Sequence, residues 1–100
     1  MHAQLIESTT SADRVDELGE VIRRELLVAL RRQEGFSGAL SLLDREAGTG
    51  LLVVLWETGE EAARPLVQCG APLLAALAAV AEVSTGVLRP STVWEVTVRA

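Results

Sequence analysis

The chain has 100 residues, a single cysteine, 49% apolar residues and a formal charge of -5. Surplus negative charge argues against nucleic acid or an anionic membrane as a partner, because phosphate binding rests on positive charge. Cys69 standing alone excludes an internal disulfide and a multi-cysteine metal site, and reads as a small buried hydrophobe. A domain this short buries only about two-thirds of the surface its unfolded chain exposes. The apolar excess therefore predicts a second copy as cover, a homodimer. The start Met1-His2-Ala3-Gln4 lacks the pattern of a secretory signal and predicts a cytoplasmic location. Ala71 to Val83, the one long apolar run, falls short of the roughly 20 residues that span a bilayer.

Periodicity orders the elements. Residues 3–9 predict a strand, after which Thr10-Ser11-Ala12-Asp13 offers oxygens to the unpaired N–H groups of a helix starting near Ser11. Val15, Leu18, Ile22, Leu26 and Ala29 recur at spacings of three and four, an apolar stripe for a helix lying on a sheet. Arg31 and Arg32 suit its carbonyl end, and Gly35 can take the left-handed conformation that stops it. Phe36 to Asp44 predicts a second strand with Phe36, Leu40 and Leu42 on one face. A turn at Arg45-Glu46-Ala47-Gly48-Thr49 then leads into residues 50–57, apolar on both parities as in a central strand covered on both sides.

Thr58-Gly59-Glu60-Glu61 forms a capping box that opens a short helix, stopped near Pro65. Pro72 opens another, with a stripe of Leu73, Leu74, Leu77 and Val80. After Thr85-Gly86 and Arg89-Pro90, residues 92–99 alternate as a fourth strand, with Trp94, Val96 and Val98 facing one way. The order is βαββαβ in one domain over residues 1–100. Right-handed crossovers predict a ferredoxin-like α+β sheet of four strands, the first and third central and parallel, with both helices on one face. The open face would be covered by the sheet of a second copy, giving a dimeric α+β barrel.

Gly35-Phe36, Leu43-Asp44-Arg45 with Gly48, and Trp56-Glu57-Thr58 followed by Glu60-Glu61-Ala62 resemble, in order and spacing, the antibiotic-biosynthesis monooxygenase family of dimeric α+β barrels. The likeness spans most of the chain and is strongest over residues 34–64. It implies an antiparallel four-stranded sheet and a pocket between sheet and helices. The family includes cofactor-free monooxygenases that oxidise phenolic polycycles to quinones, haem-degrading monooxygenases and many small members without an assigned role, so the resemblance speaks more to fold than to function. Trp56 matches the strand Trp that both types place in the pocket. The quinone-forming type adds an Asn before that Trp and a Tyr in the next helix; the matching positions are Leu52 and Ala62, and the chain contains no Asn or Tyr. The haem degraders require an axial His where this chain has Gln68, Cys69 and alanines.

Cofactor-free oxygenation needs a readily deprotonated substrate and a dry pocket whose polar groups stabilise the resulting anion. Trp56, Gln68, Arg89, Gln4 and His2 are the pocket candidates; Arg64 is a further donor. Each also has a plain reading: Trp56 as core, Trp94 as core or dimer interface, Arg64 and Arg89 as surface charges, His2 as a solvated terminal side chain, and Glu57, Glu60 and Glu61 as helix-cap partners. Gly48-Thr49-Gly50 lies in a hairpin and makes no phosphate loop. No ligand spacing for a metal and no hydrolase triad is present. The reading is a cofactor-independent monooxygenase acting on an aromatic or polyketide-like molecule, with no cofactor and no metal. Its alternatives are a non-catalytic dimeric module for a small apolar ligand or for assembly, and a polyketide cyclase on the same fold.

Overall fold

The structure, a computed structural model, describes residues 1–65, 68–85 and 92–100. Strands β1 (His2–Thr9), β2 (Phe36–Asp44), β3 (Thr49–Trp56) and β4 (Thr92–Glu95) form one antiparallel sheet in the order β2-β3-β1-β4. A 3-10 turn at Ala12–Arg14 leads into α1 (Val15–Val21), a π-helical stretch at Ile22–Leu26 and α2 (Leu27–Leu30). The short α3 (Gly59–Ala63) and the longer α4 (Ala71–Val83) follow β3. This is the ferredoxin-like α+β arrangement that the element order predicts.

The first and third strands are central, but they run antiparallel to one another, paired from His2↔Trp56 to Thr9↔Thr49. The correction follows from connectivity. The helical crossover after β1 makes β1 and β2 parallel, and the tight Arg45–Gly48 turn returns β3 between them in the opposite sense.

Register decides which side chains share a face, because residues directly opposite in an antiparallel pair point the same way. His2, Gln4, Ile6 and Ser8 of β1 lie with Leu52, Val54 and Trp56 of β3 toward the helices. There Ile6, Leu52, Val54 and Trp56 join Leu18, Ile22, Leu26, Leu30, Leu73, Ala76 and Val80 in one core. The other parity of β3, Leu51, Val53 and Leu55, shares the second face with Ala3, Leu5, Leu40, Leu42 and Trp94. On that face Leu40 and Trp94 are each 59% exposed.

Four local expectations change. A bulge between Phe36 and Gly38 pairs Phe36 with Trp56 and Gly38 with Leu55, so Phe36 turns to the helix side, away from Leu40 and Leu42; an extra residue in one strand reverses the facing of what precedes it. Leu74 is exposed and Ala76 is buried in its place on α4. β4 ends at Glu95, and beyond it Val96 N–H still donates to the Met1 carbonyl at 3.0 Å. At the first helix Ser11 occupies the cap position without a side-chain cap bond. Thr10 instead donates from Oγ1 to the Val83 carbonyl at 2.7 Å, tying the end of β1 to the end of α4.

Two glycines hold turns that other residues would strain. Gly35 has φ 83° and a Cβ there would run into the Glu61 carboxylate; Gly48 has φ 67° and a Cβ there would meet the Thr10 carbonyl. Gly19, inside α1, needs no such freedom, since a Cβ would rest 3.4 Å from Leu43 Cδ1. Gly48→Ala is expected to cost roughly 1–3 kcal/mol or more through a left-handed backbone and the clash. Gly19→Ala is expected to gain up to about 1 kcal/mol through helix propensity. Thermal melts of the two variants should move in opposite directions, by about 4–8 °C per kcal/mol.

Candidate functional site

β3 delivers Trp56 at its last residue, just before the chain turns into α3. The turn is built locally: the Thr58 hydroxyl accepts from Glu61 N–H at 3.2 Å while the Glu61 carboxylate accepts from Thr58 N–H at 3.2 Å, a complete capping box. Glu57 N–H donates to the Gly35 carbonyl at 2.9 Å, so the stop of the helical layer and the end of β3 are fastened together. The outcome is a sheet end roofed by a short helix.

Under that roof the indole of Trp56 is 2% exposed and donates from Nε1 to Gln4 Oε1 at 3.0 Å, with Gln4 only 1% exposed. A buried indole N–H needs an acceptor, and Gln4, two residues along β1 from the position opposite Trp56, supplies it. Phe36 packs edge-on against the indole, with ring centroids 6.2 Å apart and planes at 87°, the arrangement favoured by the ring quadrupoles.

His2 stands directly across from Trp56 in the β1–β3 ladder. The expectation of a solvated terminal side chain is corrected: His2 is the first residue of β1, half-buried, and its Nδ1 is enclosed without a hydrogen-bond partner. A polar atom left so carries a cost of about 1–3 kcal/mol. Its ring lies on the backbone of Gly59 at the start of α3.

The structure thus brings three of the candidates together, Trp56, Gln4 and His2. Gln68 is exposed on the segment between α3 and α4, with its N–H donating to the Pro65 carbonyl at 2.9 Å. Arg89 lies outside the described residues. Arg64 is partly buried and donates to the Glu34 carbonyl at 3.4 Å; the two line an open groove of about 380 Å³ with Thr58, Glu60 and Glu61. That groove is lined by polar side chains, and Trp56 is not among them. Cys69 is half-buried against the core, and its carbonyl accepts from Gln33 Nε2 at 3.1 Å.

Displaced protonation occurs on the exposed side of the first helical segment. The Ser11 hydroxyl holds Asp13 below the usual carboxylate range, Arg14 does so for Glu17 and Arg23 for Glu20. Among the described residues no group of three or more His, Cys, Asp or Glu side chains is arranged to hold a metal ion, and no helix is long and apolar enough to cross a membrane.

Sequence reasoning named Gln4 without its role and overlooked Phe36 and Gly59 as parts of this cluster. Gln4 shares its parity of β1 with His2, Ile6 and Ser8, so no break in an apolar alternation marks it in the sequence.

No protein-family model matches the chain, and no curated protein matches it significantly in sequence. Solved structures do match over nearly its whole length. A putative antibiotic biosynthesis monooxygenase from Bordetella bronchiseptica superposes with a TM-score of 0.80 at 16% identity, covering 97% of each chain. The chain has the fold of the antibiotic biosynthesis monooxygenases. The ActVA-Orf6 monooxygenase of Streptomyces coelicolor, in complex with nanaomycin D, gives a TM-score of 0.79 at 12% identity, covering 99% of this chain and 89% of that one. A variant of SnoaB, a cofactor-independent oxygenase from Streptomyces nogalater, gives 0.70 at 16% identity, covering 98% of this chain and 95% of that one.

Leu52 and Ala62, which stand where the family resemblance places an Asn and a Tyr, are both buried in the core. The polar groups around Trp56 come instead from β1. Gln4→Leu, which leaves the indole N–H unpaired, is expected to destabilise the fold by about 1–3 kcal/mol. Trp56→Phe should cost much less when made on top of Gln4→Leu than when made alone. A double-mutant cycle by urea unfolding reads that coupling.

Proposed function

We propose that the chain is a cofactor-independent monooxygenase that acts as a homodimer on an aromatic or polyketide-like small molecule. Its site would lie at the Trp56 end of the sheet. The observation that carries this reading is a buried polar pair at the sheet end: the Trp56 indole donating to Gln4 at 3.0 Å, both enclosed. An apolar wall with a few fixed polar groups is what cofactor-free oxygenation asks of a protein. The fold shared with SnoaB, a cofactor-independent oxygenase, and with ActVA-Orf6, solved with nanaomycin D, supports it further.

The chemistry asks little more. A carbon acid of the anthrone type loses a proton, and its carbanion gives electrons to molecular oxygen to form a C–O bond and a hydroperoxide. Loss of the second hydrogen of that carbon as a proton then breaks the O–O bond. Water departs and a carbonyl remains, so one CH2 and one O2 give one C=O and one H2O without an outside reductant.

Homodimerisation rests on the second sheet face, where Leu40, Leu42, Leu51, Val53, Leu55 and Trp94 form a continuous apolar surface. Surfaces of this kind mark protein interfaces. Sedimentation at micromolar concentration should give a dimer. Leu40→Glu with Leu42→Glu, both at exposed positions of one chain, should give a monomer of unchanged secondary structure. A monomeric wild type would sink the dimer.

The near-complete burial of Trp56 favours a second reading, a non-catalytic dimeric module for ligand binding or assembly. Oxygen uptake separates the two. With anthrones and hydroxynaphthalenes, and no added metal or flavin, the monooxygenase reading expects protein-dependent uptake that falls at least about tenfold in Trp56→Phe, a variant that keeps the core filled. Ligand quenching of Trp fluorescence without uptake would favour the binding module.

A further inference from the structure

His2 unites three observations. Its Nδ1 is enclosed and unpartnered. Its ring lies so close to Gly59 that a Cβ there would stand 3.1 Å from Nε2, 3.2 Å from Cε1 and 3.3 Å from Cδ2. Its neighbour across the β1–β3 ladder, on the same face, is Trp56. Buried polar atoms without partners are rare in folded proteins, and each calls for a reason. On the same face Gln4, the next residue of that parity in β1, has its partner in the Trp56 indole, whereas His2 Nδ1 has none.

The chemistry that suits the position is narrow. An imidazole Nδ1 accepts a hydrogen bond in one tautomer and donates in the other. A hydroxyl serves either tautomer, and an aromatic ring carrying that hydroxyl would lie against the indole at an offset or edge-on. We propose that His2 Nδ1 is the polar anchor of the small-molecule site, hydrogen-bonding the phenolic or enolic hydroxyl of an aromatic ligand. Gly59 is the positioning residue whose missing side chain lets the imidazole lie beneath α3. The inference rests on the site of the preceding reading, at the Trp56 end of the sheet, but not on oxygen chemistry.

The test compares 1-naphthol with 1-methoxynaphthalene, which differ by one methyl on the oxygen. Binding is titrated by Trp fluorescence and calorimetry on the wild type, His2→Phe and Gly59→Ala, with circular dichroism to check each fold. The wild type should prefer 1-naphthol by about three- to tenfold, the worth of one net hydrogen bond. His2→Phe should bind the two probes within about twofold, since it keeps a ring and removes the nitrogen. Gly59 has helical backbone, so alanine fits the chain path and only makes the imidazole give way slightly. Gly59→Ala should therefore weaken the preference without lowering the melting temperature, and it decides the matter if His2→Phe does not fold.

Equal binding of both probes by the wild type, as a water-filled pocket would give, overturns the proposal. So does a preference that survives in both variants, or no binding of either probe. Oxygen uptake read in parallel keeps the two claims apart. A His2-dependent preference without uptake upholds the anchor and rejects the monooxygenase. Uptake together with an unaltered preference in His2→Phe does the reverse.

Discussion

An indole N–H cannot be left unsatisfied inside a core, and in this protein its acceptor is fixed by strand register. Trp56 donates to Gln4 across the β1–β3 pair. A slip of one residue would send Gln4 to the opposite face and leave the indole unpaired. The same slip would move Ile6, which shares Gln4's parity, out of the helix-facing core. One polar bond and the apolar parity of the central strand therefore enforce the same alignment, and the sheet end that holds His2, Gln4 and Trp56 follows from it.

The elements that could be read in the chain are those whose physics is local. Thr58 and Glu61 answer one another within a single turn, so the capping box is visible in four letters and present in the structure. Gly35 and Gly48 have left-handed backbones at the places where the helix and hairpin signals put a stop and a turn. The two-sided apolarity of residues 50–57 marks a central strand, and β3 lies between β2 and β1. Phe36 shows where such reading stops. Its face depends on a bulge that only pairing with Trp56 and Leu55 creates, and no alternation within β2 encodes it.

The cluster was legible in its members but not in its connections. Trp56, Gln4 and His2 were nameable as polar or aromatic groups capable of lining a pocket. That His2 is a strand residue opposite Trp56 depends on pairing with β3 and β4, whose partners lie more than fifty and more than ninety positions away in sequence. Gly59 reads from sequence only as part of a helix cap. Its second property, room for an imidazole, exists only once β1 and α3 have packed together.

Leu52 and Ala62 give these observations a direction. At both positions, where the family resemblance would place polar groups, the chain puts apolar side chains and buries them in the core. β3 and α3 thereby lose polar groups beside the indole, and β1 contributes Gln4 and His2 from the facing strand. The cluster at this sheet end holds an aromatic side chain, one hydrogen bond that fixes it and one polar atom enclosed beside it. A scaffold that keeps its register can move such groups from one strand to the next, since neighbouring strands present the same face about 5 Å apart. That is a physical route by which one fold could take different small molecules while its core and topology stay the same.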